Sequence, residues 1–292
     1  MTATVTETVF RPGVYDGMPE EIYHGDPVPV GSLSSSGARK LLTQPPARFR
    51  YEQKNPPAPT EAMERGTAAH KLVLGVGAEI VLVNAKDWRT KAAQQQRDEA
   101  RERGAIPLLP PDYERVHAMA AALRADPLAS ALFDRERGGL PEQSLFWFDG
   151  TFGIWRRARL DWLPDAGARE RLVVPDYKTT ADASQAGVRK SVIQYGYHQQ
   201  GDWYTAAAQA LLHPDPAFLL VFQETVPPYL VRVVQMDGDL LRAGRERNAE
   251  AMEIYRDCSQ SGIWPGYGDG IDYVKFESLP VWMQNKALEA AR

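Results

Sequence analysis

The sequence predicts an α/β protein with a mixed central sheet flanked by helices and a helical region ahead of it. Runs of alternating apolar and polar residues recur at Ser144 to Phe148, Trp155 to Leu163, Val173 to Thr180, Phe218 to Gln223 and Tyr229 to Gln235, the period-two pattern of half-buried strands. Stretches with helical spacing lie before and between them, at Glu61 to Leu74, Asp112 to Phe133, about Ser191 to Leu212 and Gly238 to Asp257. Interleaving of the two patterns is the signature of helices laid against a sheet. The third observation is chemical: the two strands between Trp155 and Thr180 carry an unusual density of charge.

Along a strand, side chains alternate between faces, so Arg157, Arg159 and Asp161 share one face and Asp176 and Lys178 share a face of the next strand. Ala158, Leu160, Val173 and Tyr177 can then face the core. If the two strands pair through the turn from Pro164 to Glu170, two carboxylates, one ammonium and two guanidiniums meet on one side of a sheet. Carboxylates in close company repel and stay ionised only with a compensating cation. Hard oxygen ligands favour Mg²⁺, with Mn²⁺ as the substitute, and Mg²⁺ needs only one or two carboxylates because water and phosphate oxygens complete its shell. Lys178 beside such an ion could orient an attacking water or help deprotonate it. Metal-assisted hydrolysis of a phosphodiester is the chemistry that this set suggests. Taken alone, a D-x-K triplet also describes a surface hairpin with cross-strand ion pairs.

Four blocks in order settle between those readings: GTAAHKLVLG at Gly66 to Gly75, RARLDWL at Arg157 to Leu163, VVPDYKTT at Val173 to Thr180, and YGYHQQGDWY at Tyr195 to Tyr204. Together they resemble the PD-(D/E)xK nuclease superfamily, and within it the RecE-type (exonuclease VIII-like) phage recombination exonucleases. SLSSSGARKLLTQPPARF near the start and IWPGY near the end extend the likeness more loosely over most of the chain. The resemblance implies a restriction-endonuclease-like core, a DNA exonuclease that digests linear double-stranded DNA from 5′ ends, a single-strand annealing protein as partner, and a ring-like homo-oligomer. Some members of the superfamily carry an iron-sulfur cluster; Cys258 is the sole cysteine, so this chain has no such cluster of its own and no internal disulfide.

Composition bounds the rest. A chain of 292 residues, 43% hydrophobic and 25% charged, is long enough for a substantial core. No apolar run approaches the ~20 residues of a membrane helix, and MTATVTETVF has neither the basic nor the apolar region of a signal peptide. A cytoplasmic protein with no membrane partner is expected. The formal charge of −4 argues mildly against a nucleic-acid partner, but basic residues cluster at Arg89 to Arg103 and at Arg156, Arg157 and Arg159. A local basic groove on an acidic body is therefore expected.

Residues 1–60 read as an irregular arm and a short helix capped by Ser34 or Ser35 and ending before Pro45 and Pro46, with QKNPPAPT as a loop. Residues 61–262 form the nuclease core, with a helical insertion at about 86–135. In the helix from Glu61 to Leu74, Thr67, His70 and Leu74 lie on adjacent turns; the resemblance implies that His70 is a metal ligand beside Asp161 and Asp176. Val81 to Val83 suits a strand. Arg89 to Arg103 is polar on every face and is either a solvated helix or a DNA-contacting lobe. Asp112 to Leu123 and Pro127 to Phe133 form two helices split at Asp126-Pro127.

Glu142 precedes the first core strand, where relatives imply an acid near the metals or supporting them, though PEQS itself reads as loop and a solvent role is equally open. A tight turn at Asp149-Gly150 leads into the Arg157 strand. "PD" occurs at Pro164-Asp165 and at Pro175-Asp176; the first acid of the motif is assigned to Asp161, which continues the alternating strand, whereas Asp165 falls in a turn. Thr179 and Thr180 follow Lys178 with hydroxyls that could contact phosphate. Gln200 and Tyr204 project from one helix face and match a Q-x-x-x-Y motif in which the glutamine is implied to orient the site and the tyrosine to contact DNA. His198 and Gln199 lack a tyrosine four residues on. Arg157, Arg159 and Tyr204 are the expected backbone contacts, which carry little sequence preference. Residues 263–292 are a tail ending in a short helix. An endonuclease or Cas4-like end-processing enzyme uses the same residues, and a catalytically silent DNA-binding module would keep the fold; a Cas4-like enzyme usually has the cysteine cluster that this chain lacks, and retention of Asp161, Asp176 and Lys178 together speaks against the silent module.

Overall fold

A long hairpin, β5 (Leu140–Asp149) and β6 (Ile154–Leu163), forms the spine of the molecule in the computed structural model. Its antiparallel register runs from Leu140 opposite Leu163 to Asp149 opposite Ile154. The Asp149 carboxylate accepts from the backbone N–H groups of Thr151 and Phe152, and Gly153, at φ +67°, closes the turn. The structure describes residues 8–165 and 171–267, with Val281 and Met283. The far end of the Pro164 to Glu170 turn and most of the predicted tail helix lie outside the described residues.

The chain before the hairpin contributes β1 (Gly13–Tyr15), α1 (Glu20–His24), β2 (Ser32–Ser34), α2 (Ser35–Thr43), α3 (Pro46–Lys54), α4 (Glu61–Leu74), β3 (Ile80–Leu82), α5 (Lys91–Glu102), β4 (Ile106–Leu108), α6 (Pro110–Ala125) and α7 (Pro127–Leu132). After it come β7 (Val173–Thr180), α8 (Gln185–Gln194), α9 (Tyr197–Leu211), β8 (Ala217–Glu224), β9 (Val231–Gln235) and α10 (Gly238–Ser261). One mixed sheet has the order β1-β5-β6-β2 and a second β7-β8-β9. In the second, β7 runs parallel to β8 and β8 antiparallel to β9. A parallel neighbour needs a crossover, which α8 and α9 supply.

Three expectations are corrected here. First, β6 and β7 do not pair as a backbone ladder; they belong to the two different sheets and meet edge to edge. Second, residues 13–34 are no arm, since β1 pairs antiparallel with β5 and β2 parallel with β6. Third, the helix expected from Ser191 starts earlier, at Gln185 with Ser184 accepting from the Gly187 N–H, and breaks after Gln194, where Gly196 at φ +65° starts α9. Pro45 and Pro46 end α2 as expected but also open α3, a helix absent from the sequence reading.

Layers of helix cover both faces of the sheets. Leu33, Leu145, Leu160, Val174, Leu220 and Phe222 pack with Trp203 of α9 and Met252 of α10 in one core. Tyr177 and Val221 face the opposite way, onto Ala69 of α4 and Met119 of α6 in a second core. Alternation along β7 therefore turns Val174, Asp176 and Lys178 toward α9 and Tyr177 toward α4 and α6. This orientation decides which residues meet at the site.

Candidate active site

Asp161 and Asp176 are held at the seam between the two sheets, each by one hydrogen bond from the neighbouring element. The Tyr177 N–H donates to Asp161 Oδ2 at 2.7 Å, tying β6 to β7. Gln200 Nε2 donates to Asp176 Oδ1 at 2.8 Å, tying β7 to α9. Lys178 forms an ion pair with Asp176 Oδ2 and places its ammonium 5.4 Å from the centre of the Tyr197 ring. His70, from α4, brings Nδ1 to 3.6 Å from Asp161 Oδ2 and packs edge-on against the Tyr177 ring at 5.0 Å. α4 starts with the Thr60 hydroxyl accepting from the Met63 N–H and stops at Gly75 in the left-handed conformation, so the histidine is carried on a well-capped helix.

Electrostatics at the seam follow from burial. Asp176 is 1% exposed, and burial pushes its pKa up to about 6 against the pull of Lys178, with Asp161 adding to the rise. The Asp161 carboxyl is pushed up to about 6, again by burial first and against Lys178. Burial, reinforced by the charge of Lys178, pushes the His70 imidazole down to about 4, so it is neutral near pH 7. Burial opposes the Lys178 charge too, yet Asp176 and Asp161 hold its pKa above the usual lysine value. Lys178 is therefore held as a cationic donor by the two acids.

The other expected site residues fall into two groups. Tyr204, Arg159 and Glu142 border a cleft of about 170 Å³ that also holds Asp161 and Gln200. Thr179, Arg159 and Glu142 border a neighbouring cavity of about 390 Å³ with His70 and Lys178. Glu142 lies in β5 rather than in a loop, at φ +50°, and its carboxylate accepts from Arg159 Nη2 at 2.9 Å. Arg159 Nη1 also donates to the Met18 carbonyl and to Ser144 Oγ, so this arginine is a wall of the cleft. Thr180 lies farther out, its hydroxyl donating to the Asp182 carbonyl.

Arg157 requires a correction, since it does not face the cleft as a DNA contact. Its side chain is 7% exposed, and its guanidinium pairs with Asp26 at 2.9 Å and donates to the carbonyl and hydroxyl of Ser32. The alternation that put it on the face of Asp161 was sound, but a folded-back N-terminal segment covers that part of the sheet. Two residues that the sequence reading missed are Arg39 and Tyr197. Arg39 on α2 reaches the cleft that holds Asp161 and Gln200, and burial lowers its pKa. Its only visible signal was its place in the SLSSSGARKLL block.

Among the described residues no group of three or more carboxylate, imidazole or thiol ligands stands in a ready-made cage. The donor set nevertheless fits Mg²⁺, which takes few protein ligands and keeps its water. Asp176 Oδ2 is buried and accepts no well-directed hydrogen bond, and one ammonium, that of Lys178, stands against the buried Asp176 and the partly buried Asp161. Asp161 and Asp176 would hold the ion, with neutral His70 beside them.

Two mixed sheets carrying D…D-x-K at the seam between them, with a helix glutamine behind the second acid, have the arrangement of a PD-(D/E)xK fold. The chain belongs to the family described as PDDEXK-like domain of unknown function (DUF3799), whose profile matches residues 34–277. No curated protein matches it. Among solved structures, one from Eubacterium rectale, provisionally described as an exonuclease, is similar at a TM-score of 0.57 and 12% identity, covering 87% of this chain and 92% of the other. Another, SSO0001, reaches a TM-score of 0.30 at 14% identity over 68% of this chain and 94% of its own.

Proposed function

We propose that this protein is a divalent-metal-dependent exodeoxyribonuclease of the RecE type, acting on linear double-stranded DNA from 5′ ends and leaving 3′ single strands for an annealing partner in recombination. The observation that carries the reading is the meeting of Asp161, Asp176, Lys178 and Gln200 at one seam, with His70 alongside. A divalent cation, Mg²⁺ with Mn²⁺ as substitute, would supply at Asp161 and Asp176 the Lewis acidity that phosphodiester hydrolysis needs near neutral pH.

The chain's own groups do the rest. Well above pH 6 both carboxylates are ionised and ready as ligands. Gln200 fixes the rotamer of Asp176 from behind, and the Tyr177 N–H fixes Asp161. Lys178, protonated, orients an attacking water and offsets the charge that builds on the phosphate. Tyr204 and Thr179 line the approach for the DNA backbone, and Thr180 stands at the outer end of the same strand. Digestion from an end, with the other strand left intact, suits a homo-oligomer that encloses the duplex.

End-labelled linear DNA and closed circular DNA, incubated with Mg²⁺ or with a chelator, test this reading. Loss of the linear form alone, label released first from the 5′ end, abolished by the chelator and by Asp176→Ala, is the expected result. Nicking of circles would replace the exonuclease by an endonuclease, and metal-independent binding without cleavage would leave a silent module.

A further inference from the structure

We infer that the groove leading from the active site between α4, α6 and α8 is a track for one strand of DNA, with Tyr195 and Tyr197 as stacking platforms and Lys190 as a phosphate contact. The inference rests on the nuclease reading and adds to it the path taken by a single strand.

The cavity that holds His70 and Lys178 shares Gly66, Thr179 and Tyr197 with a second cavity of about 470 Å³. The two adjoin across these residues. The outer cavity is walled by Arg65 of α4, Arg115 of α6 and Lys190 of α8 against a single lining acid, Asp182. Arg65 and Arg115 share the carboxylate of Asp112 at 3.4 and 2.9 Å, and Arg65 also pairs with Glu61 at 3.9 Å, so both arginine charges there are already answered. Lys190 is exposed and forms no ion pair with a described carboxylate. Among the described residues, Lys190 is therefore the cation of the outer groove left open to a phosphate.

Aromatic rings decide between one strand and two. Tyr197 lies against the Lys178 ammonium, and Tyr195 lies 5.7 Å beyond it, tilted by 40°. Tyr195 is 54% exposed. The pair thus steps outward from the reacting groups into the basic part of the groove. Within a duplex the base faces are covered by their neighbours; a single strand presents a free face at each base, and stacking on tyrosine is indifferent to sequence. An open basic side chain beside an exposed ring, here Lys190 and Tyr195, is a combination that single-strand grooves use.

The test is fluorescence anisotropy of the full chain in chelator, with labelled oligothymidine of about 12 nucleotides and a blunt hairpin duplex as probes. Tyr195→Ala should weaken oligothymidine binding about fivefold or more, while Tyr195→Phe keeps the wild-type affinity. Lys190→Ala should reduce the slope of log K against log salt by about 0.7 for the single strand. Wild-type affinity in both alanine variants, or an equal loss for the duplex, overturns the track even if the enzyme cleaves DNA. If the wild-type chain proves unable to hydrolyse DNA while these variants lose the single strand, the track stands and the nuclease reading falls.

Discussion

Asp176 shows the conflict between stability and chemistry most clearly. A carboxylate whose folded pKa is about 6, against an ordinary value of 3.8, binds a proton more readily in the native state than in the unfolded chain. Its contribution is least unfavourable below the ordinary value and is lost as pH rises through 6. Asp161 has the same sign. His70 has the opposite one: its folded pKa of about 4 lies below the ordinary 6.5, so its contribution is complete above 6.5 and is lost as pH falls toward 4. Two groups against one leave the metal-free site as a local cost that grows between about pH 4 and pH 6 and levels off above pH 7. Asp176→Asn removes one of the two carboxylates while keeping an oxygen for Gln200, so the melting temperature of the variant should gain on the wild type between about pH 4 and pH 6 in chelator and hold a constant offset above pH 7. Mg²⁺ should raise the melting temperature of the wild type and leave the variant unmoved, because only a state that binds the ion is stabilised by it. A wild type that melts above Asp176→Asn by the same margin at every pH would refute this account. The acids and the lysine were legible from the sequence because strand alternation is local. The fate of Arg157 was not, because its partner Asp26 is more than a hundred residues away in the chain.

At the scale of elements, the structure departs from the sequence wherever a break was read as an end. Pro45-Pro46 stops one helix and starts another, since the missing N–H of proline costs nothing in a first turn. Gly196 turns what looked like one helix into two, and this bend aims Tyr197 and Gln200 of α9 at β7. The three-residue strands β1 and β2 have no readable pattern of their own; they exist by pairing with β5 and β6. Most consequential for the site is the crossing of α9 and α10. A Cβ at Gly244 would lie 2.1 Å from the His198 carbonyl oxygen and 2.6 Å from its carbonyl carbon, backbone against backbone, with no side chain to yield. Gly244→Ala should therefore cost about 1–3 kcal/mol by overpacking and, by shifting α9, loosen Gln200 from Asp176 and lower hydrolysis. Gly238→Ala, in the same helix with nothing within 4 Å of its Cβ, should be neutral or slightly stabilising. Urea denaturation of the two variants side by side checks the pair, and equal midpoints would remove the helix crossing as the cause.

For the whole molecule, the question is whether the N-terminal segment is an appendage or a part of the core. Its strands close both edges of the β5-β6 hairpin, and Met18, Tyr15 and Tyr23 pack with Phe146 in a small core of their own. The Asp26 carboxylate joins the segment to the sheet, accepting from the N–H and hydroxyl of Ser32 and pairing with Arg157. Asp26 has a φ of +63°, a conformation that asparagine tolerates as well as aspartate. Asp26→Asn thus changes charge while leaving backbone strain as it was. Arg157 would be left in the interior with its hydrogen bonds to Ser32 but without a counter-charge, and losing one partner of a buried pair costs about 3–5 kcal/mol. Because Asp26 keeps 16% of its side-chain surface, the expected loss is near 3 kcal/mol, read as a fall in the urea midpoint with the slope unchanged. An appendage would behave differently: the main transition would stay in place, and only cleavage by chymotrypsin after Tyr15 or Tyr23 would quicken. A midpoint that does not move in Asp26→Asn would restore the arm suggested by the sequence and separate that segment from the sheet that carries Asp161.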